Sequence, residues 1–116
     1  MICEWFWHIG AIIFYLLMAL IIKAIKVPEI NHFVGYKTKR SMLNQDTWKE
    51  ANIYSKKVFW FISIEMAIEH FILFFIFDFQ NLGALMTMFA LKTVLVIPIT
   101  EYHLKTVFDD NGRYLK

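Results

Sequence analysis

Apolar residues gather in three long runs rather than in the short alternations of a half-buried soluble fold. Residues 5–22 carry no charge and one strongly polar side chain, His8. Residues 58–77 form a second run, interrupted by Glu65, Glu69 and His70, and residues 82–99 a third, interrupted by Lys92. At about 1.5 Å per residue each run is long enough to cross a hydrocarbon core of roughly 30 Å. Lipid offers no hydrogen bonds to the backbone, and three segments are too few to close a barrel, so the runs must be helices. The pattern predicts an all-α integral membrane protein forming a single membrane domain over 1–116. Its transmembrane helices cover 5–22, 58–77 and 82–99, with a loop over 23–57, an outer hairpin over 78–83 and a tail over 100–116. Within the loop a short amphipathic lead-in helix is predicted over about 46–57, with Asp46 as N-cap and Trp48, Ala51, Asn52 and Ser55 on one face. Run straight into the second span, that helix would hold Trp48 about 15 Å below Val58. A bend near 52–57, laying the lead-in along the membrane interface, is therefore expected.

Composition agrees with the pattern. The chain is 59% hydrophobic and 18% aromatic, against about 45–50% apolar in soluble domains, and its few glycines and prolines exclude disordered and collagenous classes. A single cysteine, Cys3, excludes a disulfide framework and a thiolate zinc cluster. The net charge of +2 becomes informative once sorted by position. The 23–57 segment holds eight basic residues (Lys23, Lys26, Lys37, Lys39, Arg40, Lys49, Lys56 and Lys57) against Glu29, Asp46 and Glu50, and the tail adds Lys105, Arg113 and Lys116. The first seven residues and the hairpin have none. Basic residues near span ends mark the cytoplasmic side, so the N-terminus is expected outside and the loop and tail in the cytoplasm of a bacterial inner membrane. Residues 1–22 lack the basic start and small-residue cleavage site of a signal peptide.

The stretch 31–52 reads N-H-F-V-G-Y-K-T-K-R-S-M-L-N-Q-D-T-W-K-E-A-N. It resembles the signature loop of the SdpI/YfhL family of small bacterial membrane proteins, N-x-x-[IV]-G-[YI]-R-T-P-x-[ST]-[ML], followed by an acidic residue, a Trp and a polar helix. A second stretch, from Pro98 through Glu101, Leu104, Lys105, Phe108 and Asp109 to Gly112, is similar to the family's P-x-[ST]-E-x-x-L-K-x-x-F-D-x-x-G ending. Lys37 stands where arginine is usual and Lys39 where proline is usual, replacing a planar fork by a point charge and removing a fixed φ. The resemblance implies three-helix architecture and a binding role. The family's namesake is a self-immunity factor against a secreted membrane-active peptide, linked to holding a transcriptional repressor at the membrane. On this basis Asn31, Gly35, Lys37, Thr38, Arg40, Trp48, Asn52 and Glu101 form the expected cytoplasmic motif. Physically, Gly35 suits a turn, and Thr38, Ser41 and Asn44 can satisfy nearby amides.

The second span is where composition and thermodynamics conflict. Its apolar residues gain about 4–8 kcal/mol on insertion, and two ionised acids near the centre cost about 5–7. Glu65 and Glu69, four apart, share a helix face, whereas His70 is turned about 100° from Glu69. Either acid lies at a depth where Lys92 can meet it across the hairpin. Glu65, Glu69, Lys92 and His70 are thus the candidate intramembrane polar site, read either as a helix-locking ion pair or as a ligand or proton site.

Other signals are weaker. The acids and His70 lack the spacing of di-iron or zinc helices, and the 109–112 stretch reads as a turn rather than a calcium loop. His8, with Trp5 and Trp7, reads as part of an outer aromatic belt. No phosphate loop, dinucleotide fingerprint or nucleophile triad is present, so neither an enzyme nor a cofactor is expected. The expected partners are membrane lipids, another membrane protein or peptide, and a cytoplasmic regulator, with no direct nucleic-acid contact. Two function classes follow: an immunity or signalling protein acting through loop and tail, and an accessory subunit of a larger membrane complex.

Overall fold

A computed structural model describes residues 2–26, 29 and 35–115, with side chains from Trp5 onward. All regular elements among them are helical. Helix α1 spans Ile2–Ala24, α2 spans Gln45–Phe71, α3 spans Leu82–Val94 and α4 spans Val96–Val107. A π-helical turn, Ile72–Ile76, extends α2. Three stretches are long and apolar enough to cross a membrane: Trp5–Ala24, Gln45–Ile76 and Leu82–Val107. They lie side by side in a rod of 56 × 23 × 19 Å.

The second helix is longer than the sequence pattern suggested. Lead-in and span form one α-helix of 27 residues, and the expected bend near 52–57 is absent. No glycine or proline interrupts this stretch, and the donors of Asn52 and Ser55 turn back onto the helix itself. Asn52 Nδ2 donates to the Trp48 carbonyl (2.8 Å) and Ser55 Oγ to the Asn52 carbonyl (3.4 Å), so neither competes for a broken ladder. Trp48, Ala51, Asn52 and Ser55 do share one buried face. The N-cap is Asn44 rather than Asp46. Asn44 Oδ1 accepts from the Thr47 amide (2.8 Å), and Thr47 Oγ1 accepts in return from the Asn44 amide (3.0 Å), a reciprocal capping box. Asp46 sits in the first turn, where its charge still suits the helix dipole.

The third rod is longer and broken. Expected over 82–99, helix continues to Val107 and takes in the first half of the predicted tail. It is interrupted at Leu95, whose amide turns back to Lys92 O (3.1 Å). Pro98, three residues on, has no N–H to give the Val94 carbonyl and its ring crowds that turn, which accounts for the break. At the opposite end Phe77 N–H bonds Ile72 O (3.2 Å), and Asp78 takes a left-handed φ of 56°, which a short acidic side chain tolerates. Asn81 then caps α3 through the Ala84 amide (3.0 Å).

Two cores hold the rods together. One, between α1, α2 and α3, contains Ala11, Tyr15, Met66, Ala67, Leu85 and Phe89. The other, at the loop-and-tail end, contains Ala51, Leu104 and Phe108, with Tyr36 and Val107 against it. Small residues at Ala11, Ala19 and Ala67 let the backbones of α1 and α2 approach closely.

Candidate functional site

At the loop-and-tail end, the residues after Gly35 are threaded against the start of α2. Gly35 has φ of 121°, and a Cβ there would sit 2.8 Å from both the Trp48 ring and Asn52 Oδ1. Only glycine fits, because Trp48 is packed at 1% exposure and its ring lies under the turn. Asn52 Oδ1 accepts the Tyr36 amide (2.6 Å). The loop then closes on itself: Ser41 Oγ accepts the Thr38 amide (2.8 Å), and Thr38 Oγ1 accepts the Ser41 amide (3.1 Å). Thr47 Oγ1 reaches the Ser41 carbonyl (3.0 Å) and fastens the loop to the cap of α2.

From this frame a polar network crosses to α4 and the tail. Tyr36 Oη donates to Glu101 Oε1 (2.8 Å), with the Ile97 carbonyl 3.2 Å away. Glu101 Oε2 faces Arg40 Nε at 3.8 Å, and Arg40 Nη1 lies 3.5 Å from Asp110 Oδ1. Burial, reinforced by the bond to the Glu101 carboxylate, pushes the Tyr36 phenol well above its usual range and keeps it a donor. Thr38, Arg40 and Glu101, with Lys39, Leu43, Lys105 and Asp110, line a hollow of about 600 Å³. Lys37 is exposed.

The tail is tied down from its own side. Asp109 Oδ1 accepts the amides of Asn111 and Arg113 (2.9 Å each), and these bonds, Arg113's first, hold its carboxyl below the usual range. The 109–112 stretch is thus a turn. Gly112 (φ 82°) gives its carbonyl to Asn44 Nδ2 (2.7 Å), and a Cβ there would stand 2.6 Å from that nitrogen. Phe108 is buried and its backbone pairs with Tyr114. His103 Nε2 meets Glu50 Oε1 at 2.7 Å while stacking on Tyr54.

Of the expected motif, Gly35, Thr38, Arg40, Trp48, Asn52 and Glu101 are brought together here. Asn31 lies outside the described residues.

The candidate intramembrane site divides in two. Lys92 Nζ bonds both acids, Glu65 at 2.9 and 3.1 Å and Glu69 at 2.5 Å. His70 is not with them. It is fully buried on the face of α2 turned toward α1, where its Nε2 meets His8 Nδ1 at 2.8 Å and its Nδ1 meets Tyr15 Oη at 3.0 Å. His8 is correspondingly not a belt residue: it is 1% exposed, stacked on Phe74, with Nε2 3.3 Å from the Gln80 carbonyl. Trp5 and Trp7 are exposed. Sequence reasoning missed His8 and Tyr15 as a pair with His70. A signal was present in their seven-residue spacing with Ala11 between and Ala19 beyond, one heptad-like stripe on α1. Among the described residues no three His, Cys, Asp or Glu side chains converge as a metal site.

The fold and these sites define a class: a small helical protein with three helices able to cross a membrane and an ordered loop-and-tail face at one end. The model of the SdpI/YfhL protein family matches residues 26–101, and the chain belongs to that family. The matched region contains the loop, both glutamates, His70, Lys92 and Glu101, but not His8 or Tyr15. No curated protein and no solved structure matches the chain.

Proposed function

We propose that the chain is a multi-pass protein of the bacterial inner membrane, with its N-terminus outside and its loop and tail in the cytoplasm. It acts there by binding rather than catalysis, in toxin immunity or in signalling. The observation carrying this reading is the ordered face itself. Four links, Tyr36–Glu101, Arg40–Glu101, Arg40–Asp110 and Asn44–Gly112, join loop, α4 and tail, and Arg40, Glu101 and Asp110 line a hollow there. A segment serving only as a topology signal has no need of that construction. With Lys39 and Lys105 at its edge, the hollow suits an acidic protein surface or anionic headgroups. Cells with and without the protein, challenged with each membrane-active peptide encoded beside it, test the immunity reading. Higher survival with the protein, lost in Arg40→Ala at equal protein level, is the expected result. Equal survival against every such peptide overturns it.

The second reading, an accessory subunit of a larger membrane complex, is favoured by the large aromatic and aliphatic side chains exposed at the N-terminus and around 71–79. Purification in gentle detergent at native expression separates the two. A stoichiometric membrane complex supports the subunit, and a lone protomer supports immunity or signalling.

A further inference from the structure

The outward face of α2 and its π-helical turn carries a lane of about 660 Å³, lined by Trp60, Phe61, Ile64, Ile68, Ile72 and Leu73, with Glu65 and Glu69 in the same row as Phe61 and Leu73. Both acids lie in the middle third of the apolar run 58–77, and Lys92 lies in the middle third of 82–99. Two carboxylates therefore share one ammonium at the centre of the spanning region. The sharing is unequal. Glu69 and Lys92 are largely covered, with side chains 29% and 26% exposed, whereas Glu65 is 51% exposed toward the lane. A half-exposed carboxyl facing hydrocarbon is costly unless a proton or a cation neutralises it.

We propose that this lane is a docking site for an apolar helical segment carrying a single basic side chain, which meets Glu65 at the bilayer midplane. Charge decides the occupant. Lys92 bonds both carboxylates but balances one of their two charges; one positive group from outside the chain balances the other, and Glu65 is the more exposed of the two acids. Lipid tails bring no charge. A second copy brings its own two carboxylates on one lysine, so pairing two lanes doubles the deficit. Shape agrees: the lane runs along one helix between ridges four residues apart, the groove into which another helix packs. The inference rests on the membrane placement proposed above, not on immunity or signalling.

The test uses the full chain in lipid vesicles and two synthetic transmembrane peptides of leucine and alanine, identical except for lysine or norleucine at the central position. Binding is read by energy transfer from Trp60 and its neighbours to a dye on the peptide. Tighter binding of the lysine peptide, by about tenfold, is expected in the wild type, and the difference should vanish in Glu65→Gln. That variant keeps the Glu69–Lys92 pair, so its helices stay joined, as a matching thermal midpoint will show. Equal binding of the two peptides overturns the proposal, as does a lysine preference that survives Glu65→Gln. Self-cross-linking of Ile68→Cys along the lane also overturns it, by assigning the surface to a second copy. Membrane placement is checked separately in the same vesicles by labelling Gln80→Cys and Asn111→Cys from either side.

Discussion

Three buried side chains set the chemistry between α1 and α2, and their hydrogen bonds have one neutral solution. The Gln80 carbonyl only accepts, so His8 must carry its proton on Nε2 and leave Nδ1 as an acceptor. His70 must then donate from Nε2 to His8 Nδ1, leaving its own Nδ1 to accept from Tyr15 Oη. Every polar atom is satisfied with both rings uncharged, which is what an enclosed site requires. Long-range proton–nitrogen correlation should find both His8 and His70 as Nε2–H tautomers. Tyr15→Phe removes the last donor and leaves His70 Nδ1 unpaired, a loss of about 1–2 kcal/mol. A lowered thermal midpoint in detergent, with unchanged helical circular dichroism, is the expected outcome. Met86, whose Sδ is 3.2 Å from Tyr15 Oη, is the hydroxyl's other neighbour. Met86→Leu should leave the midpoint nearly unchanged, because in the neutral chain the tyrosine proton is committed to His70.

At the scale of elements, the ends of α2 decide how the molecule is assembled. Asn44 has two duties: its oxygen caps α2, and its nitrogen holds the Gly112 carbonyl. Asn44→Ala should therefore cost more than a lost cap, about 1–2 kcal/mol for the helix start, and should also free the tail. Amide exchange at residues 109–115 should rise together with the loss of stability. Asn44→Asp, which retains the acceptor but not the donor, should restore the first effect and not the second. The existence of three apolar helices was legible because predominantly apolar runs of eighteen to twenty residues have few other solutions. The junctions were not. Asn44, two residues ahead of the acidic Asp46, forms the capping box with Thr47, one residue after it, and a cap is chosen by local backbone geometry that composition does not report. The unbroken passage of α2 through Asn52 and Ser55 depends on side chains turning back onto their own helix, a choice invisible in the residue types. The acid pair and Lys92 were readable from depth and helical spacing alone. The partnership of His70 with His8 was hidden because it requires knowing which faces of α1 and α2 meet.

For the molecule as a whole, the third rod is held against the second by Leu85 and Phe89 of α3, with Leu82, Met86 and Met88 against them, and among the described residues this shared core takes nothing from α3 past Phe89. Lys92 bridges that gap by bonding both Glu65 and Glu69. Lys92→Met removes the cation and leaves two carboxyls four residues apart with nothing to offset them. One or both must then take up a proton, and the rods lose their polar link. Because the carboxyls can neutralise themselves by taking up protons, the cost stays below that of a stranded buried charge, on the order of 1–3 kcal/mol. The thermal midpoint and the steady-state level should both fall. Charge and packing can be separated by adding Glu65→Gln and Glu69→Gln to Lys92→Met. If uncompensated charge is the cause, the triple variant should recover most of the lost stability, since removing all the ions together is far less costly than removing one. If the triple variant is as unstable as Lys92→Met alone, the stem of Lys92 acts through packing, and the three charged groups have no structural claim on the bundle.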